Sequence, residues 1–133
     1  MDAAQALGDL TEISAQIEAA AVATADGAPL ASTLPDGAGG VLARAASGLL
    51  AEAGERAVAV EAAVGRSRLV AARDGSHLVA AVTSRGTPAG LVLYDLRTCL
   101  RRLAEAEAKP KPKPRRRRAP AKKKKQDAER ESS

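Results

Sequence analysis

With 133 residues but one aromatic side chain (Tyr94) and neither Phe nor Trp, the chain has material for one small core, built from Ala, Val and Leu. Charge divides it: residues 1–108 carry nine arginines, no lysine and thirteen acids, a net of −4, whereas residues 109–133 carry seven lysines and five arginines against three acids, a net of +9. The lone Cys99 excludes an internal disulfide, the acidic start Met1–Gln5 does not read as a signal peptide, and no apolar run nears the roughly 20 residues of a membrane helix, so a soluble cytoplasmic protein is expected.

Residues 2–18 are predicted to form an amphipathic helix, with Ala3, Ala6, Leu7, Leu10, Ile13 and Ile17 on one face and Gln5, Asp9, Glu12 and Gln16 opposite. Residues 19–25 are continuously small or apolar, as in a central strand covered on both sides. Asp26-Gly27 signals a hairpin turn, with a returning strand from Leu30 to Thr33 and a loop from Pro35 to Gly40. A second helix is predicted from about Val41 to Ala53; its apolar zone, Leu42, Ala45, Ala46, Leu49 and Ala53 widened by Val41 and Leu50, is too broad for one neighbour. Three strands follow. Val58, Val60, Ala62 and Val64 alternate in the first, Arg68 to Arg73 is the second, Asp74-Gly75 is another turn, and Leu78 to Val82 is a third, buried strand. Thr87-Pro88 reads as the cap and first residue of a last helix, whose apolar face is Val92, Leu96, Cys99, Leu100 and Leu103 and which frays near Ala108.

The order α-β-β-α-β-β-β-α, with tight turns between strands, predicts an α+β fold: a three-layer α/β/α sandwich around a five-stranded antiparallel sheet, followed by a disordered basic tail. Residues 1–108 form the expected domain and residues 109–133 the tail. A core so poor in aromatics buries little surface, which predicts self-association, and a strand at Val58–Ala63 would be an open edge unless paired.

In the Leu7, Leu10, Ile13 spacing of the first helix, the strand and Asp-Gly turn from Ala21 to Ser32, and the segment Gly90 to Arg97, the chain resembles the roadblock/dynein light-chain domain family, its bacterial members included. The likeness covers about residues 3–104 and rests on the order and spacing of elements. It implies a non-catalytic homodimer, with sheets joined at the third strand and second helices paired, acting as an adaptor or regulator of a Ras-like small GTPase. Bacterial relatives linked to gliding motility accelerate GTP hydrolysis by a partner without chemistry of their own. In this sequence the implied interface residues are Val41, Ala45 and Leu49 on the helix and Val58, Val60, Glu61 and Ala62 on the strand.

No residue pattern indicates catalysis, a cofactor, a metal or a small-molecule substrate. His77 lacks companions and reads as a surface or turn histidine; Cys99 reads as a buried thiol. Gly37-Ala38-Gly39-Gly40 lacks the Lys-Ser/Thr of a phosphate loop, and Ser47 is not in a nucleophile elbow. The tail is different. Lys109, Lys111, Lys113, Arg115, Arg116, Arg117, Arg118, Lys122, Lys123, Lys124 and Lys125 form a run without an anion, and alternating Lys-Pro favours polyproline II, with a reach on the order of 50 Å. Such an arm suits a polyanion. Nucleic acid is the favoured partner and an anionic membrane the rival, while docking onto the acidic body would be autoinhibitory. A second function class follows from the same run: a nonspecific, nucleoid-type DNA-binding protein whose folded domain serves to dimerise the arms.

Overall fold

The computed structural model describes residues 1–35 and 37–108; the basic run from Lys109 to Lys125 therefore lies outside the described residues. Helix α1 (Ala3–Ile13) starts at a capping box: the Gln5 amide donates to the Asp2 carboxylate at 2.8 Å, and the Asp2 amide donates to the Gln5 side chain at 3.1 Å. It ends five residues earlier than its periodicity suggests. The Ser14 amide closes it on the Leu10 carbonyl, the Ile17 amide turns back to Ser14, and strand β1 (Ile17–Thr24) begins. Ile13 is consequently 59% exposed, whereas Ile17 packs on the core. Pairing of β1 with a neighbouring strand along most of its length outweighs a helical turn for this β-branched and small-residue run.

The Asp26-Gly27 turn forms as expected, with Gly27 at φ 97° and the Thr24 and Ala28 backbones bonded. The Thr24 hydroxyl donates to Asp26 and holds its carboxyl below the usual carboxylate range. Strand β2 (Pro29–Ser32) is short and starts on proline. Helix α2 (Ala38–Ala53) starts three residues before Val41, running straight out of left-handed Gly37 through Gly39 and Gly40. Strands β3 (Ala59–Val64), β4 (Ser67–Arg73) and β5 (His77–Ser84) follow. The Asp74-Gly75 turn works differently from its twin: the Asp74 carboxylate accepts from the Ser76 and His77 amides, both at 2.8 Å, and Gly75 is not left-handed. Helix α3 (Ala89–Ala108) begins one residue after Pro88, and the Thr87 hydroxyl shares a 3.0 Å hydrogen bond with Ser84.

The five strands are antiparallel in the order β2-β1-β5-β4-β3, which confirms the α-β-β-α-β-β-β-α sandwich. The two hairpin groups join through β1 and β5, with Val22 opposite Val79 and Ala21 opposite Ala80. Alternation then divides the core. Ala20, Val22, Val70, Ala72, Val79 and Ala81 face α1 and α3, while Ala21, Ala23, Leu69, Ala71, Leu78 and Ala80 face α2. Opposite the second set, α2 presents Leu42, Ala43, Ala46 and Leu50. Burying each Val or Leu is worth about 1.5–3 kcal/mol, and each Ala much less, so the fold relies on many small contacts.

Candidate functional site

Strand β3 is an edge, with one neighbour, β4. The Arg73 amide donates to the Val58 carbonyl at 2.9 Å, which makes 58/73 a hydrogen-bonded pair and, by the alternation of an antiparallel ladder, also 60/71 and 62/69. The outward-facing amides and carbonyls therefore belong to Ala59, Glu61 and Ala63. Six residues with one charge, unbroken by proline or bulge, are an unprotected edge. At the other end of the sheet β2 is blunted by its shortness and by Pro29.

Two arginines that the sequence offered merely as strand ends position this edge. Arg73 donates to the Ala57 carbonyl at 2.8 Å and the Gly54 carbonyl at 2.9 Å, fixing the passage from α2 into β3. Arg68 donates to the Thr87 carbonyl at 2.7 Å and pairs with Glu61 at 3.2 Å, tying β3 to the start of α3. An arginine at each end of an apolar strand was the available signal.

Beside the edge, α2 turns an apolar stripe outward. Val41 is 59% exposed, Ala45 is exposed one turn on, and Leu49 is half-buried. Between this stripe and the sheet runs a groove of about 390 Å³ lined by Ala38, Val41, Leu42, Ala45, Val64, Ser67, Leu69 and Val82. Val58 precedes β3 and is exposed, Glu61 is exposed, and Val60 and Ala62 are half-buried, with Val60 packing against the α2 side of the core. Val64 stays exposed despite its place in the alternation, because among the described residues nothing covers the end of this edge strand.

The remaining sequence candidates have structural explanations. Gly39 is set by close approach: a β-carbon there would collide with the side chain of Ser32, so the glycines seat the start of α2 on β2. Ser47 packs against the Gly27 turn. Cys99 is 4% exposed, and burial pushes its thiol up to about 11. His77 is not a surface histidine. It is 6% exposed, its Nε2 lies 3.3 Å from the Glu107 carboxylate at the end of α3, and its Nδ1 is buried without a partner. It shares the α1/α3 face of β5 with Val79 and Ala81, where the end of α3 and the N-terminal residues cover it. Among the described residues no group of three or more His, Cys, Asp or Glu converges to hold a metal ion, and no helix is long and apolar enough to cross a membrane.

No protein-family model and no curated protein matches the chain in sequence. Solved structures do match in shape. A roadblock/LC7 domain from Streptomyces avermitilis superimposes with a TM-score of 0.72 at 15% identity, over 82% of this chain and 100% of that one. The gliding protein MglB from Thermus thermophilus gives 0.60 at 18% identity, over 77% and 87%. Profilin II from Acanthamoeba castellanii gives 0.56 at 15% identity, over 79% and 98%. The architecture is the roadblock/LC7 fold.

Proposed function

We propose that the protein is a non-catalytic homodimeric adaptor or regulator of a Ras-like small GTPase, with residues 1–108 as the dimerising domain and residues 109–133 as a cationic arm that tethers it to nucleic acid. The observation that carries this reading is the unprotected β3 edge beside the outward apolar stripe of α2, in a fold shared with MglB. Two copies pairing at β3 satisfy the outward groups of Ala59, Glu61 and Ala63, and a two-fold axis brings Val41, Ala45 and Leu49 against their counterparts. Glu61 does not oppose this, because Arg68 of its own protomer already pairs with it. Residues Lys109 to Lys125 add eleven cations, and dimerisation doubles them.

The charge division of the sequence favours one further reading, in which the protein binds DNA nonspecifically and the domain merely joins two arms. Affinity capture with the intact protein, followed by sizing of the captured complex at low and high salt, tests both. The adaptor reading expects a dimer that retains a guanine-nucleotide-binding protein at high salt. A dimer that captures nucleic acid alone, and loses it as salt rises, selects the second reading. A monomer at micromolar protein refutes both.

A further inference from the structure

The outer face of α3 is the feature that neither the fold nor the dimer explains. Tyr94, the chain's one aromatic, is 68% exposed, and Arg97 and Arg101 follow it at successive turns. Among the described residues neither arginine has an ion pair or a side-chain hydrogen bond, unlike Arg102, which is held by Asp9 at 3.3 Å on the side facing α1. Arg97 and Arg101 are like charges four residues apart, an arrangement that disfavours an isolated helix. Glu105, one turn beyond, is the single exposed acid continuing the row, and half-buried Asp95 lies toward α1. Ala108, where this helix ends, is followed at once by Lys109 and the cationic run.

We infer that Tyr94, Arg97 and Arg101 form a docking track for nucleic acid. The chemistry fits: arginine forks pair with backbone phosphates, and an exposed tyrosine offers a face on which an unpaired base stacks. A lipid surface fits less well. The exposed large apolar side chains of α3, Leu91 and Tyr94, both lie near its start, and among the described residues none follows beyond Arg97. Direction matters too. Gly90 and Leu93 border Ala59 and Glu61 of the open edge, whereas Leu103 and Glu107 border His77 and Leu30 of β2. Helix α3 therefore runs from the β3 edge outward over about 30 Å, of which Tyr94 to Arg101 cover about 10 Å. Resting on the proposed β3 dimer, the two α3 helices start near the two-fold axis and together extend over up to about 60 Å, each carrying one track.

The test uses the full chain and two labelled probes, a 20-base-pair duplex and a 20-nucleotide single strand, titrated at several salt concentrations with sedimentation in parallel. Arg97→Gln/Arg101→Gln should weaken duplex binding about tenfold at 0.1 M salt and flatten the log–log salt slope by about 1.8 per bound protomer. Tyr94→Ala should weaken the single strand by about tenfold and leave the duplex nearly unchanged. All three positions are exposed, so the variants keep the fold. A double variant with wild-type affinity and slope overturns the track while leaving the dimer in place. A wild-type monomer whose slope still depends on Arg97 and Arg101 removes the dimer and keeps the track. Stronger binding to phosphatidylserine vesicles than to either probe, lost in the double variant, assigns the face to membrane and overturns the proposal.

Discussion

Val41→Asp is the sharpest perturbation of the proposed interface. In the protomer Val41 keeps 59% of its surface exposed, so a partner has that fraction left to cover. Full burial of a valine is worth at least ~1.5 kcal/mol and at most ~3, so covering this remainder contributes roughly 0.9–1.8 kcal/mol per copy. A two-fold axis counts the position twice, which makes about 2–3.5 kcal/mol per dimer and a rise in Kd of about 30- to 300-fold. Burying a carboxylate adds to that loss. Sedimentation equilibrium across a range of protein concentrations reads the constant directly. Ile13→Asp supplies the control: Ile13 is also 59% exposed, but it ends α1 on the other side of the sheet. An unchanged Kd for Val41→Asp, or an equal loss for Ile13→Asp, would show that the α2 stripe is not the contact.

Ala63→Pro removes an outward donor, whereas Ala62→Pro removes one bonded to β4. The first should abolish dimerisation at a smaller cost to protomer stability than the second, measured by urea unfolding; equal costs would contradict the assigned ladder alternation. Gly39→Ala should destabilise by about 1–3 kcal/mol in spite of alanine's helix preference, and Ser32→Gly in the same chain should recover most of it, since both close atoms belong to the Ser32 side chain. Cys99 should resist alkylation at pH 8 until the protein unfolds. Its folded value of about 11 exceeds the unfolded value near 9, so the folded state holds the proton longer and stability falls as pH rises from about 9 to 11; a Cys99→Ala chain should lose that slope. Thermal midpoints should rise by about 3 °C per tenfold increase in protein, from RT ln 10 per dimer over the usual unfolding entropy of a domain this size, and a constant midpoint would argue for a monomer.

The elements were legible where local chemistry decides them. Gly27, Gly54 and Gly65 take positive φ at turns or a helix end, and the Cys99 face of α3 is buried as its period requires. What failed was local periodicity overridden by pairing. Ile17 suits the α1 stripe as well as a strand, and its partner Thr83 is 66 residues away, beyond any window-based pattern. The same distance hid the junction of the two hairpin groups through β1 and β5. His77 was misplaced because what buries it, the end of α3 with Leu103 and Glu107 together with Met1 and Leu30, is distant in sequence. The β3 edge was half legible: its edge nature could be read from its composition, but the outward set Ala59, Glu61 and Ala63 needs the Arg73–Val58 bond. The α3 stripe carried a signal that went unused, since an exposed Tyr94 with Arg97 and Arg101 at helical spacing is visible in the sequence once the buried face of the helix has been drawn.

Aromatic poverty and self-association belong to one physical argument. Alanines on both faces of β1 and β5, with Ala43 and Ala46 opposite, let the helices sit close to the sheet but leave little apolar area per residue to offset chain entropy. Such a domain gains most by covering surface it already displays, and Val41, Val58 and Val64 display such surface beside a strand edge that is still open to pairing. The sheet then separates two tasks. In the proposed dimer, pairing at β3 puts α2 from both copies on one side of the sheet, where their apolar stripes cover one another, and α3 from both copies on the other, with Arg97 and Arg101 exposed. A substitution on the α3 face should therefore alter polyanion binding without weakening the dimer, whereas one on α2 should weaken the dimer first and polyanion binding through it, because two arms bind together only while β3 holds them in one particle.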